Sequence, residues 1–166
     1  MQSAPVAGPI TFTVGGEQYI AVNAGWGGGA AQVERGAGVQ QNRASARLLV
    51  FKLGGKAQLP PLGEAPPIPD PPPLRATEDV VRHGAELFGA TCAQCHGQLA
   101  IGGIKDLRYM TRETHAAFND IVLKGTRTDK GMASFANLLK PEEVEAIHAY
   151  VISRANEDWG TGGHAY

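Results

Sequence analysis

The sequence predicts a mainly α-helical domain that follows a small β-meander, with a proline-rich segment between the two. Residues 1–59 hold 11 of the 22 glycines and contain short β-branched and aromatic runs without a helical period. Residues 60–73 contain eight prolines. From residue 77 onward, apolar residues recur at the spacing of an amphipathic helix. These changes divide the chain into residues 1–59, 60–74 and 75–166.

The N-terminal part contains three runs that predict β-strands, at residues 11–14, 18–24 and 47–53. Gly15 and Gly16 lie between the first two runs and predict a tight hairpin turn. A sheet of three strands leaves two edges unpaired, and so short a segment cannot cover both of its faces. We therefore expect this meander to belong to a larger sheet assembly, either missing from this sequence or supplied by a partner.

The rest of the chain predicts a spacer and then helices. The prolines of residues 60–74 predict a semi-rigid, polyproline-like connection. Thr77 is suited to cap a helix, because its hydroxyl can accept a hydrogen bond from a backbone N–H of the first turn. Pro141 predicts the start of the last helix, since proline is favoured at the first helical position. A shorter helix is predicted at residues 114–124.

Charge and hydropathy narrow the range of partners. The formal net charge is −1 at pH 7, whereas binding to nucleic acid is driven by an excess of Lys and Arg. Nucleic acid is therefore not expected as a partner. No apolar run approaches the roughly 18 residues needed to cross a bilayer, so no transmembrane segment is expected.

The main chemical signal is the C-x-x-C-H pattern of Cys92, Cys95 and His96. Two thiols at this spacing can add to the two vinyl groups of one haem, and the adjoining imidazole can then bind the iron. These are the only two cysteines in the chain. The pattern predicts a covalently attached haem c and, with it, single-electron transfer.

The same two cysteines admit other chemistry, namely a haem-free zinc site or a thiol-redox site. A closed zinc site needs four ligands, and the histidines that could join the thiolates are His83, His115, His148 and His164. None of them forms a second paired spacing, and we expect His83 and His148 to be solvated. A thioredoxin-like site would need a βαβ pattern around the cysteines, which the sequence lacks. Both alternatives are disfavoured.

The second axial ligand of the iron is expected to be a methionine. Met132 lies in a predicted loop just before the last helix, and Met110 is the alternative. The loop position favours Met132. Ligation by Met and His raises the reduction potential and leaves no open position, which suits electron transfer.

Arg108 is a further candidate for binding the cofactor. A guanidinium can pair with both oxygens of a carboxylate, such as a haem propionate. A solvated surface arginine is the alternative.

Residues 77–155 resemble a class I cytochrome c. The positions that match the family's helix-crossing glycine, aromatic residues, haem attachment and axial ligands are Gly84, Phe88, Cys92, Cys95, His96, Gly131, Met132 and Tyr150. The first and last helices of that fold cross closely, so the resemblance implies that Gly84 faces Tyr150. It also implies a mainly α class I cytochrome c domain.

The flanking segments resemble the last propeller blade of quinohaemoprotein alcohol dehydrogenases. The match covers residues 11–22, 24–28 and 47–53, and it continues through the proline-rich segment to residues 106–109. In that family a propeller binds pyrroloquinoline quinone (PQQ) and calcium, oxidises an alcohol and passes electrons to a C-terminal haem. The resemblance implies a β-meander built like the last blade of a β-propeller. It further implies a propeller dehydrogenase domain or subunit as partner, an external electron acceptor and a periplasmic location.

Two departures from that family matter. Its catalytic aspartate, calcium ligands and adjacent-cysteine disulfide have no counterpart here, so this chain holds no complete catalytic site, and PQQ and calcium are expected only in the propeller. Family members also usually have a proline before Asp-Leu-Arg, where this chain has Lys105. That proline's carbonyl commonly accepts the hydrogen bond of the haem-binding histidine. We expect the carbonyl of Lys105 or Ile104 to replace it. An independent cytochrome subunit, whose strands complete another partner's sheet, is the other reading of the chain.

Overall fold

The computed structural model describes residues 5, 7–25, 47–61, 66–102 and 104–159. Two compact units are present: the first takes in the described residues up to Pro66, and the second begins at Pro67. The boundary falls inside the proline-rich segment. Two sequence predictions concern residues outside the described ranges, namely His164 and the part of the blade match at residues 26–28.

In the first unit, the described residues form a three-stranded antiparallel sheet in the order β1-β2-β3. Its strands are β1 Ile10–Val14, β2 Glu17–Ala24 and β3 Arg47–Lys52. All three lie within one residue of the predicted bounds. Gly15 (φ 59°) and Gly16 (φ 82°) make the β1–β2 turn with two left-handed residues, a backbone that glycine adopts without a Cβ clash.

Both faces of this sheet carry exposed apolar side chains. The register places Ile10, Phe12 and Val14 of β1 on the same face as Leu48 and Val50 of β3; Ile10 is 65% exposed and Leu48 is 64% exposed. Ile20 and Phe51 are paired on the opposite face, and about half of each residue is exposed. Single exposed apolar residues are ordinary, but this small sheet exposes apolar side chains on both of its faces.

The second half of the proline-rich segment packs onto the helical unit. Ile68 is only 6% exposed. Asp70 accepts a hydrogen bond from the Arg112 guanidinium at 2.5 Å, and the Pro72 carbonyl accepts one from the Asn156 amide at 3.0 Å. Residues 68–72 are therefore held by the helical unit.

The described residues of the helical unit form five α-helices: α1 Glu78–Thr91, α2 Ala93–His96, α3 Arg112–Ala116, α4 Phe118–Val122 and α5 Pro141–Asp158. Two 3-10 turns, Leu107–Tyr109 and Thr128–Lys130, lie in the connections. Thr77 caps α1 and Pro141 begins α5, as predicted. The helix predicted at residues 114–124 is instead two short helices, because the backbone at Ala117 (φ −92°, ψ 8°) leaves the helical conformation.

Helices α1 and α5 cross at Gly84. A Cβ on Gly84 would lie 1.9 Å from the Ala146 carbonyl oxygen, so only glycine permits this approach. The close crossing is confirmed, but the residue facing Gly84 is Ala146. Tyr150 lies one turn further along α5, where its ring packs against Phe88 at 5.3 Å between centroids. The most deeply buried large side chains are Phe88, Val144, Ile147 and Val151. Among the described residues, no helix is both long enough and apolar enough to cross a membrane.

Candidate functional site

The two thiols lie at the junction of α1 and α2. The Cys92 N–H donates to the Phe88 carbonyl at 2.8 Å and ends α1, and the Cys95 and His96 N–H groups both donate to the Cys92 carbonyl. This tight turn places the thiols three residues apart on helical backbone, where side chains are neighbours. Cys92 is buried, Cys95 is exposed, and neither forms a disulfide.

The surroundings of the Cys92 thiol disfavour its thiolate form. Burial raises its pKa and the neighbouring Cys95 adds to this, although the Thr91 hydroxyl, 3.2 Å from Sγ, acts in the opposite direction. Cysteines that react as nucleophiles or redox centres usually have a lowered pKa. The environment of Cys92 therefore argues against the thiol-redox alternative.

The His96 ring is fixed by one hydrogen bond. Its Nδ1 lies 3.0 Å from the carbonyl oxygen of Lys105. A carbonyl oxygen can only accept, so Nδ1 carries the proton and Nε2 keeps its lone pair for a metal. The next carbonyl along, that of Ile104, is not the acceptor. The Ile104 N–H itself donates to the Cys95 carbonyl at 2.7 Å, which brings this loop against α2.

The two candidate methionines lie against the same core. Met110 is 7% exposed and belongs to the buried cluster that contains Cys92, while Met132 is partly buried and packs against that cluster. Met132 follows Gly131, whose left-handed backbone (φ 86°) ends a 3-10 turn, and its N–H donates to the Arg127 carbonyl at 3.1 Å. The assignment of Met132 as the axial ligand stays a prediction.

Arg108 is buried and paired with carboxylates. Its Nε and Nη2 donate to the two oxygens of Asp106 at 3.0 and 2.8 Å, and its Nη1 donates to Asp158 at 2.7 Å. Burial lowers its pKa, but the hydrogen bonds and charges of both carboxylates outweigh that effect, and the pKa is raised. Arg108 is therefore a buried cation with partners from its own chain, and its pairing with a haem propionate stays a prediction.

A histidine pair lies on another side of the core. His115 is 6% exposed, and its Nδ1 lies 3.0 Å from Nε2 of His148. The His148 ring also stacks on Phe118 at 4.3 Å between centroids. His83 is exposed as predicted, but His148 is half-buried. No sequence spacing connects residues so far apart; the one available signal was that His115 shares an apolar stripe with Phe118.

The histidine pair predicts an acid-sensitive fold. Burial, with a smaller effect of His148, lowers the pKa of His115 to about 4, and burial also lowers the pKa of His148 although Glu145 opposes this. In the unfolded chain a histidine titrates near 6.5, so between about pH 6.5 and 4 the unfolded state binds a proton that the folded state refuses. The folded state therefore has its full stability above about pH 6.5. Its free energy of unfolding falls by up to about 1.4 kcal/mol per pH unit as the pH drops from there towards about 4.

Urea unfolding of the parent and of His115→Phe, at pH 7 and pH 5, measures this effect. We expect the variant to lose less stability between the two values than the parent. His83→Gln, at an exposed histidine, is the control and should behave like the parent. Equal losses in the parent and His115→Phe would contradict the assignment.

The donor set fits a haem c. Two unpaired thiols, three residues apart, precede an imidazole whose Nε2 is left free by the Lys105 hydrogen bond. Thioether attachment needs the first two groups, and iron ligation needs the third. In the described part of the chain, no group of three or more His, Cys, Asp or Glu side chains is placed to hold a metal ion.

Comparisons with known proteins agree with this chemistry. The family model described as cytochrome c oxidase, cbb3-type, subunit III matches residues 79–151. The chain is 46% identical to quinohaemoprotein alcohol dehydrogenase ADH IIB of Pseudomonas putida over 95% of its own length and 24% of that protein. It is 36% identical to the dehydrogenase subunit of alcohol dehydrogenase (quinone) of Acetobacter aceti, with coverage of 95% and 22%.

A solved structure shows the same relationship. Quinohaemoprotein alcohol dehydrogenase ADHIIG from Pseudomonas putida HK5 matches with a TM-score of 0.69 and 37% identity, over 95% of this chain and 23% of that one. The chain thus spans about a quarter of the length of these relatives. Over that quarter it is homologous to the quinohaemoprotein alcohol dehydrogenases and corresponds to their C-terminal, cytochrome c part.

Proposed function

We propose that this chain transfers single electrons through a haem c that is attached to Cys92 and Cys95 and ligated by His96. The observation that carries the proposal is the His96–Lys105 hydrogen bond, which leaves Nε2 free beside two unpaired thiols. When bound, the haem supplies a reversible one-electron couple whose potential depends on its ligands and their hydrogen bonds.

Each residue has a definite task in this proposal. The thiols hold the group covalently, so it stays in place during turnover. His96 binds the iron through Nε2, and Lys105 orients its ring through the backbone carbonyl. Met132 would supply the second protein ligand to the iron, and ligation by Met and His would suit the haem to electron transfer. The apolar cluster that contains Phe88 and Met110 excludes water from this region.

Haem attachment is tested with the chain produced in a host that has haem-ligation machinery. The parent should keep its haem through acid–acetone extraction and gain the mass of one haem. The double variant Cys92→Ala, Cys95→Ala should lose the haem completely on extraction, because no thioether can form. Gln94→Ala, an exposed position between the thiols, is the control and should match the parent. Complete extraction of haem from the parent would refute the proposal.

We further propose that the first unit is part of a propeller blade and that electrons reach the haem from PQQ in the remainder of that propeller. Two observations support this: both sheet faces are apolar and exposed, and relatives named quinohaemoprotein alcohol dehydrogenases are about four times as long as this chain. PQQ, calcium and alcohol oxidation then belong to the propeller. An external acceptor takes the electrons, and the location is the periplasm.

The exposed sheet predicts that the isolated chain associates. Leu48→Lys with Val50→Lys should lower the association measured by analytical ultracentrifugation, because charges oppose burial of that face. Asn137→Lys with Gln98→Lys adds the same charge at exposed positions outside the sheet and should leave the association unchanged. A stable monomeric parent would contradict this prediction.

The chain alone should not oxidise alcohol. Added PQQ, calcium and a primary alcohol should give no dye reduction, and turnover by this chain alone would contradict the proposal.

A further inference from the structure

The loop that carries the Lys105 carbonyl is fastened to the last helix by a chain of ion pairs. Lys105 is followed by Asp106, whose Oδ1 accepts from the Arg108 N–H at 3.1 Å and so caps the 3-10 turn Leu107–Tyr109. The same carboxylate takes two hydrogen bonds from the Arg108 guanidinium. The position of residue 106, and with it the peptide group that carries the Lys105 oxygen, therefore depends on Arg108.

Arg108 is held in turn by the end of α5. Asp158, the last residue of that helix, accepts from Arg108 Nη1 at 2.7 Å. Side chains of Arg108, Asp106 and Asp158 are 10%, 16% and 19% exposed. Charge-assisted bonds this well shielded from water hold a geometry more firmly than surface pairs do.

A second contact fastens the same loop from the same helix. Arg154, one turn before Asp158, donates from Nε to the Leu99 carbonyl at 3.3 Å. Its guanidinium also lies 3.9 Å from the Asp158 carboxylate. The final turn of α5 thus contacts the loop near its start and near its end.

We infer that Asp158 is a positioning residue for the haem-binding histidine: through Arg108 and Asp106 it holds the Lys105 carbonyl in place to receive the His96 Nδ1 proton. This inference rests on the haem attachment proposed above. The acceptor of a ligating histidine sets the ring orientation and raises the basicity of the metal-binding nitrogen. A looser acceptor makes His96 a weaker electron donor to the iron, so the reduction potential should rise.

The experiment uses the full chain with its covalent haem, verified by mass. Asp158→Ala removes the carboxylate, and Asp158→Glu restores it on a longer side chain. The main readout is the exchange rate of the His96 Nδ1 proton, followed by NMR in the reduced protein. In the Asp158→Ala variant, the His96 Nδ1 proton should exchange roughly tenfold faster, as expected when an ordinary hydrogen bond loses its fixed acceptor. The reduction potential should rise, and Asp158→Glu should recover much of both.

Loss of a negative charge can also raise a potential, so the exchange rate and a charge control separate the two causes. Glu157→Gln removes the same charge one residue away, where the carboxylate pairs with Arg154. It should leave the exchange rate unchanged. If Asp158→Ala does not fold, Arg108→Lys takes its place, because a single ammonium keeps the charge but lacks the fork that bonds both Asp106 oxygens and Asp158. If the parent contains haem and the substituted protein exchanges the His96 Nδ1 proton at the same rate, this inference alone is overturned. If the parent carries no covalent haem, the proposed function is overturned.

Discussion

Gly84→Ala is expected to destabilise the helical unit strongly. The added Cβ would lie 1.9 Å from the Ala146 oxygen and 2.5 Å from its carbonyl carbon, whereas non-bonded heavy atoms normally approach to about 3.5 Å. The backbone cannot yield as a flexible side chain would, so α1 and α5 must separate. We expect a loss of at least about 3 kcal/mol in the free energy of unfolding. Because α1 ends at Cys92, haem incorporation should also fall.

The same helix offers a matched control. Gly89 also lies in α1, but a Cβ there would meet nothing within 4 Å. Gly89→Ala should therefore raise the free energy of unfolding by up to about 1 kcal/mol, since alanine is the better helix former. Urea unfolding of both variants, followed by circular dichroism, measures the difference. Equal stabilities in the two variants would mean that the helices do not cross at Gly84.

The elements were predictable because their signals are local. Strand alternation, the Gly15–Gly16 turn and the caps at Thr77 and Pro141 depend on neighbours within a few residues, and each was found close to its predicted place. The break at Ala117 was not predictable in this way. The stripe of apolar residues continues across it, and periodicity cannot detect one residue whose backbone leaves the helical region.

The contacts that orient the candidate site are long-range and were largely invisible in the sequence. The C-x-x-C-H pattern predicted the donor set, but the choice of Lys105 over Ile104 depends on how a loop folds back onto α2. The partner of Arg108 on α5 is 50 residues away, and the pairing of His115 with His148 spans 33 residues. No periodicity relates such positions, so only the packed structure brings them together.

The second large effect is expected at Met132, the proposed second ligand of the iron. Met132→Ala should leave the haem covalently attached, because both thiols remain. The iron would lose its thioether ligand, and with it the stabilisation of the reduced state that ligation by Met and His provides. We expect a fall in reduction potential on the order of 0.1 V, within the range of about 0.8 V over which axial ligands act. The open position should bind carbon monoxide.

Met110→Ala distinguishes ligation from packing. Met110 is 7% exposed within the core cluster, so its truncation should cost about 2–5 kcal/mol of stability. The potential and the lack of carbon monoxide binding should stay as in the parent. Met132 is only partly buried and lies in a loop, so Met132→Ala should show the opposite pattern: a small loss of stability with a large change in the haem. Each substitution thus predicts one large and one small effect, and an exchange of the two patterns would identify Met110 as the ligand.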